Sequence, residues 1–143
     1  MIRGPWGALA WHDGEATGDP GRPRSHDHRG GTVVWHPPGP GTAAVDAESL
    51  RRPLDPALRR RWGAADDAGF LARWTVGEVL AKLSGTPIAV WLSEHGLPAA
   101  VPGHSQVPLG EGVADLWHLE VPGREAVVTC GLLVPGPDPA GMT

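Results

Sequence analysis

The sequence is poor in cysteine and lysine and contains no tyrosine. A single cysteine, Cys130, excludes an internal disulfide, and such sparse use of cysteine fits a reducing compartment. No apolar segment approaches the roughly 18 residues that a membrane-spanning helix requires. The first residues also lack the apolar core of a secretory signal. We therefore expect a cytoplasmic protein with no membrane association.

An excess of basic residues is also missing, because 12 Lys and Arg stand against 16 Asp and Glu, for a net charge of −4. Nucleic-acid-binding domains usually carry a basic excess, so we expect no nucleic acid partner. Acidic or phosphorylated ligands stay compatible with this balance, since local charge can oppose net charge. All basic residues except one are arginine, which draws attention to Lys82.

Glycine and proline are abundant, with 21 Gly and 16 Pro in 143 residues, a composition that approaches that of disordered chains. Seven Trp and 41% hydrophobic residues nevertheless indicate a folded core. We predict a single domain over residues 1–134, with a loop-rich start at 1–30 and a flexible tail at 135–143.

Short β-branched and aromatic runs bounded by Gly and Pro are typical of strands. The predicted strands are 32–36, 42–48, 88–92, 117–121 and 126–134. The first two would pair across the proline-rich turn at 37–41, and the last two would form a hairpin around Pro122.

The clearest helix is predicted over 66–84, where apolar residues recur at helical spacing between a capping aspartate and Gly85. A shorter helix is predicted to begin after Asp55, with Pro56 at its first position. The resulting fold class is α+β, with a small antiparallel sheet packed against one long helix.

Three carboxylates are the strongest candidates for chemistry. Asp46 and Glu48 are two residues apart on a predicted strand, so their side chains point to the same face. Glu78 lies one helical turn before Lys82. If the helix packs on the sheet, the carboxylates converge as the oxygen ligands that Mg²⁺ prefers. Lys82 would then stand near enough to meet a phosphate or to move a proton.

His28 and Arg29, in a loop that ends in two glycines, are further candidates for contact with a phosphate. Simpler explanations exist for every one of these residues. Carboxylates usually occupy solvated faces, a Glu and a Lys four residues apart often form a helix pair, and loop histidines are commonly ordinary polar residues.

Two segments resemble the signature of the 4′-phosphopantetheinyl transferases. Residues 45–48, VDAE, match its Asp-x-Glu, and residues 70–82, FLARWTVGEVLAK, are similar to its helix with an aromatic residue, a Glu and a Lys four positions later. Upstream, residues 21–31 look like its Gly-Lys-Pro and Ser-His-x-Gly-Gly segments in compressed form. Residues 117–126 are similar to its closing hairpin.

The resemblance implies a half-domain of that fold and a Mg²⁺-dependent transferase. Enzymes of this family move the 4′-phosphopantetheine arm of coenzyme A to a serine of an acyl or peptidyl carrier protein in fatty acid, polyketide or nonribosomal peptide biosynthesis. In family terms, Asp46, Glu48 and Glu78 bind the metal on the pyrophosphate of coenzyme A. Glu78 and Lys82 are the catalytic residues.

The resemblance also implies that His28, Arg29 and Lys82 contact the phosphates of coenzyme A. The sequence departs from the family pattern at Gly77, where a lysine is usual. The length matches one of the two halves that large members join, so we expect a homo-oligomer, dimer or trimer, with coenzyme A between subunits. The alternative is a non-catalytic relative that binds coenzyme A or a carrier protein.

Overall fold

The computed structural model describes residues 1–14, 21–26 and 30–136. The strands are β1 Ile2–Gly4, β2 Gly7–His12, β3 Arg24–His26, β4 Thr32–His36, β5 Thr42–Ser49, β6 Gly103–Leu109, β7 Gly112–Val121 and β8 Ala126–Pro135. The helices are α1 Pro56–Arg61, α2 Asp67–Ser84 and α3 Ile88–His95. The predicted α+β class is therefore confirmed.

The strands form two four-stranded antiparallel sheets and not the single sheet that the sequence predicted. Sheet A has the order β1-β2-β4-β3, and sheet B has the order β5-β8-β7-β6. The expected pairing of β4 with β5 is wrong, because these strands lie in different sheets. Their connection at 37–41 contains three prolines, which lack the N–H donors of a hairpin ladder.

The predicted hairpin near the C-terminus is confirmed as β7 and β8, which pair from Gly112 opposite Pro135 to Val121 opposite Ala126. Strand β6 was not predicted. It pairs with β7 across a two-residue loop that follows Leu109. Its sequence, GHSQVPL, is polar and contains a proline because β6 is an edge strand with several exposed residues.

Helix α2 has the predicted boundaries. The carboxylate of Asp66 accepts a hydrogen bond from the Gly69 N–H, and Gly85 ends the helix at φ 67°. Helix α1 is likewise capped by Asp55, as predicted. The run at 88–92 forms α3 and not a strand, so the structure has a third helix that the sequence did not predict. A short apolar run fits either structure by periodicity, and here packing against α2 selects the helix.

The elements stack in three layers, with sheet B in the middle. Helix α2 covers one face of sheet B, mainly over β5 and β8. Sheet A covers the other face, where Trp35 is fully buried and its ring centroid lies 6.1 Å from that of Trp117. The segment that we expected to be rich in loops thus contributes β1, β2 and β3 to this layer.

The predicted flexible tail lies outside the described residues from position 137 onward. Within the part of the chain that the structure describes, no helix has both the length and the apolar character needed to cross a membrane.

Candidate functional site

The candidate site lies where α2 crosses the edge strand β5 of sheet B. Asp46 is paired with Thr129 of β8, whose hydroxyl contacts Thr75 of α2 at 2.9 Å, so Asp46 occupies the face that α2 covers. Glu48 follows on the same face because side chains alternate along a strand. Sheet and helix therefore bring the predicted carboxylates to one region.

Lys82 is attached to β5 by two polar interactions. Its ammonium donates a hydrogen bond to the Val45 carbonyl oxygen at 2.9 Å, and it lies 3.7 Å from Asp46 Oδ1. The side chain of Lys82 keeps 40% of its surface exposed. The predicted neighbourhood of Lys82 and the Asp-x-Glu strand is thus present, and the ammonium also satisfies a backbone acceptor.

Asp46 is an almost fully buried carboxyl group, with 6% of the residue exposed. Ser25 donates a hydrogen bond to its Oδ1 at 3.2 Å. Its Oδ2 is buried and has no hydrogen-bond partner among the described residues. Burial raises the pKa of Asp46 to about 7, with further increases from Glu48 and Glu78 that Lys82 opposes.

Glu78 belongs to the same electrostatic cluster. Burial raises its pKa, the charge of Glu48 adds to that increase, and Lys82 and Arg52 act against it. Arg52 also donates to Glu48 Oε1 at 2.8 Å. Three carboxylates and two cations therefore share one region, and a net negative charge results when all of them are ionised.

The carboxylate oxygens of Asp46, Glu48 and Glu78 are of the chemical type that a hard divalent cation prefers as ligands. Across residues 1–14, 21–26 and 30–136, no three Asp, Glu, His or Cys side chains are already arranged as a metal-binding group. Mg²⁺, however, is usually held by one or two carboxylates together with phosphate oxygens of a substrate. The buried Oδ2 of Asp46 is an acceptor oxygen with no described partner, and a cation could satisfy it.

The structure bears differently on two other features of the sequence, the predicted phosphate contacts at positions 28 and 29 and the glycine at position 77. His28 and Arg29, the predicted phosphate contacts, lie outside the described residues. Gly77 faces α3, and a Cβ atom built there would lie 3.4 Å from Pro98 Cδ and 3.7 Å from Leu92 Cδ2. A lysine at this position would therefore begin in the contact between α2 and α3.

Sequence reasoning missed Ser25 and Arg52. Ser25 is buried, and its Oγ both donates to Asp46 and accepts from the Ala47 N–H at 3.2 Å. Ser25 gave no local signal, because its contacts depend on the crossing of β3 over the edge of β5. Arg52 could have been found, since it lies four residues after Glu48 in an arginine-rich stretch.

A polar cavity of about 510 Å³ adjoins the cluster and has Glu48 in its wall. Arg51 and Arg124 line it, and the Arg124 guanidinium carbon lies 5.5 Å from the centroid of the Trp11 ring. The wall combines these cations and an aromatic face with the carboxylates of Asp13, Glu48 and Glu125. A phosphorylated ligand with a flat ring would meet the guanidinium groups and the ring, and it would have to displace or avoid those carboxylates.

Comparison with protein-family models finds no match to this chain, and comparisons with curated proteins and with solved structures find none either.

Proposed function

We propose that the protein transfers the 4′-phosphopantetheine arm of coenzyme A to a serine of an acyl or peptidyl carrier protein. The observation that carries the proposal is the buried Oδ2 of Asp46, which has no hydrogen-bond partner among the described residues. This atom belongs to the same cluster as Glu48, Glu78 and Lys82, the only lysine of the chain. The resemblance to the transferase signature supports it, because the residues of that signature are the ones that converge.

Asp46, Glu48 and Glu78 would hold Mg²⁺, which when bound supplies positive charge to the pyrophosphate of coenzyme A. The raised pKa of Glu78 belongs to the site without metal, because a bound cation would lower it. Glu78 would therefore accept the proton of the attacking serine where Asp46 and Glu48 alone hold the cation. Lys82 is suited to hold a phosphate oxygen and to stabilise charge on the leaving group.

In the proposed reaction the serine oxygen forms a bond to the phosphorus that bears the pantetheine arm. The bond from that phosphorus to the bridging oxygen breaks, and adenosine 3′,5′-bisphosphate leaves with the electron pair. Positioning and charge stabilisation provide most of the catalysis in such transfers, since the protein need not form a covalent intermediate.

We assign the nucleotide end of coenzyme A to the polar cavity beside Glu48. Arg51 and Arg124 could contact its phosphates, and Trp11 offers an aromatic face for the adenine. Arg51 is already paired with Glu125 in an exposed ion pair, so a bound phosphate would compete with that carboxylate.

A homo-oligomer, dimer or trimer, is part of the proposal, with coenzyme A between subunits. It rests on the length of the chain, which matches one of the two halves that large members of the family join. Within the single chain, sheet A covers the face of sheet B opposite α2, where Leu9, Val33 and Trp35 pack against Val128 and Cys130. Light scattering at micromolar concentration tests the assembly, and a fully active monomer would refute it.

The decisive experiment is loading of purified acyl and peptidyl carrier proteins with a fluorescent coenzyme A analogue in Mg²⁺. We expect mass addition at the carrier serine, loss of loading with a chelator, and loss in Asp46→Asn. Asp115→Asn is a matched control, because Asp115 lies on the opposite face of sheet B, paired with His104.

The alternative proposal is a relative that binds coenzyme A without turnover. A folded wild-type protein that loads none of the carriers, yet is stabilised against heat by coenzyme A, would establish this alternative. A protein that neither loads nor responds to coenzyme A would refute both proposals.

A further inference from the structure

A second cavity, of about 410 Å³, lies away from the carboxylate cluster, between α2, α3 and strands β6 and β7. Its wall includes Val76, Leu80, Trp91, His95, Val107 and His118. Val76 and Leu80 are each two residues from Glu78, which places them roughly 200° around α2 from that carboxylate. The cavity therefore belongs to the other side of the helix. Its size and apolar wall are typical of small-molecule sites.

His118 is the polar group of greatest interest in this wall. It lies on β7, where its Nδ1 is 2.8 Å from the hydroxyl of Thr129 on β8. That hydroxyl is 2.9 Å from the hydroxyl of Thr75 on α2, which in turn donates to the Ala72 carbonyl oxygen at 2.8 Å. Thr75 and Thr129 are fully buried. A chain of three hydrogen bonds thus joins the ring of His118 to the backbone of α2.

The protons in this chain can be assigned because each hydroxyl has one proton to donate and a carbonyl only accepts. Thr75 gives its proton to Ala72, so Thr75 must accept from Thr129. Thr129 then has no proton left for the imidazole and must accept from it. His118 Nδ1 therefore carries a hydrogen, and in the neutral ring the lone pair resides on Nε2.

The imidazole is neutral at ordinary pH, because burial lowers the pKa of His118 more than the charge of Glu120 raises it. Nε2 has no hydrogen-bond partner among the described residues and is not enclosed. His118 also lines a smaller cavity of about 250 Å³ near Ala72 and Ala100. His118 therefore lies in the wall of both cavities and carries an acceptor, Nε2, that no described residue occupies.

We propose that this region is a second binding site, which takes an uncharged ligand with an apolar body and one hydroxyl or N–H donor directed at His118 Nε2. The apolar wall would contact the body of the ligand, and the acceptor would select ligands by their donor. Trp91 contributes a further polar atom, since its buried indole nitrogen has no described hydrogen-bond partner. The proposal is independent of the transferase activity.

The proposal is tested by nuclear magnetic resonance with two probes of the same shape, 1-naphthol and 1-methoxynaphthalene. Only 1-naphthol can donate a hydrogen bond, so we expect it to bind about 10-fold more tightly, the usual scale for one such bond. Binding should shift the His118 Nε2 signal and the Trp91 indole signal. Long-range proton–nitrogen spectra of the free protein should show the hydrogen on Nδ1.

Two variants separate the acceptor from general apolar binding. His118→Phe keeps a ring but removes Nε2, and Thr129→Val removes the group that fixes the hydrogen on Nδ1. His118→Phe should lose the preference for 1-naphthol, Thr129→Val should weaken it because the ring can then adopt either tautomer, and both should still bind both probes. His104→Gln is the control, since His104 is exposed on the opposite face of sheet B, and it should keep the preference.

Three results would overturn the proposal. The first is a hydrogen on Nε2 of His118 in the free wild-type protein. The second is equal affinity of the wild type for the two probes, and the third is binding of 1-naphthol that leaves the His118 and Trp91 signals unchanged. Because all three are measured on the wild type, they decide the matter even if a variant fails to fold.

Discussion

The ammonium of Lys82 donates to the carbonyl oxygen of Val45 at 2.9 Å and lies 3.7 Å from the carboxylate of the next residue, Asp46. Strand β5 is the edge of sheet B, so its outward backbone groups have no neighbouring strand to pair with. Lys82 satisfies one of these groups, and Ser25 satisfies another, the Ala47 N–H. The lysine proposed for catalysis therefore also holds α2 to β5.

This double contact predicts two separate effects of Lys82→Met, which keeps most of the apolar stem. Turnover should fall by about 10²-fold or more, the usual scale for loss of a charged catalytic group. The free energy of unfolding should also fall, by about 1 kcal/mol, because one hydrogen bond and a half-exposed ion pair are lost. Carrier loading and urea denaturation measure the two effects.

Lys82→Arg serves as the comparison for that variant. It keeps the positive charge, so most of the stability should return, whereas a planar guanidinium replaces a compact ammonium only in part during phosphate contact. A wild-type loading rate in Lys82→Met would contradict the catalytic role. Unchanged stability would contradict the contact with Val45.

Asp46 predicts a distinct pH dependence of stability. Its pKa is raised from 3.8 to about 7 in the folded protein, so over this interval the folded state binds more protons than the unfolded state. The contribution of Asp46 is therefore fully present below its unfolded pKa and is lost as the pH rises toward the folded value. Each unit of difference corresponds to roughly 1.4 kcal/mol.

Urea denaturation of the wild type and of Asp46→Asn at about pH 5 and about pH 8 measures this effect. The wild type should lose stability relative to the variant at the higher pH, since an amide does not titrate. Mg²⁺ should restore part of the loss in the wild type only, if the ionised carboxylate binds it. Parallel pH profiles for the two proteins would show that Asp46 ionises normally.

The sequence predicted the elements of the site better than the arrangement of the strands. Helix α2 could be placed because its determinants are local: a capping Asp66, an apolar stripe and Gly85 at a positive φ. The approach of Asp46 to Lys82 followed from spacing on a strand and on a helix. These relationships depend on geometry within single elements and on one packing contact.

Apart from the hairpin of β7 and β8, strand pairing could not be predicted in the same way, because it depends on contacts that are distant in sequence. β2 pairs with β4 although the residues between them are rich in glycine and polar side chains. The role of Ser25 has the same origin, since it contacts Asp46 at a separation of 21 residues. The helix α3 was missed because its apolar run is as short as a strand.

Two buried glycines should respond in opposite ways to alanine. Gly77→Ala would place a methyl group at ordinary contact distance from Pro98, Ile88 and Leu92, so it should stabilise the helix by about 0.5–1 kcal/mol. In Gly131→Ala, the methyl group would lie 2.9 Å from Leu83 Cδ1 and closer still to Val79. This overpacking should destabilise the protein by about 1–3 kcal/mol. Thermal unfolding of the pair measures the contrast, and destabilisation by Gly77→Ala would mean that α2 and α3 pack more closely than described.

Ser25→Ala should separate the electrostatic from the structural role of this serine. Its hydrogen bond to Asp46 favours the ionised carboxylate, so the variant should raise the pKa of Asp46 above the wild-type value. The Ala47 N–H would also lose its acceptor, which should cost about 1–3 kcal/mol of stability. Carbon-13 titration of the Asp46 carboxyl group measures the first effect, and urea denaturation measures the second. Ser93→Ala is the control, because Ser93 is exposed on α3 and should change neither quantity. An unchanged Asp46 titration in Ser25→Ala would show that the serine supports only the edge of β5, and the pKa of Asp46 would then be set by its burial, Lys82, Glu48 and Glu78.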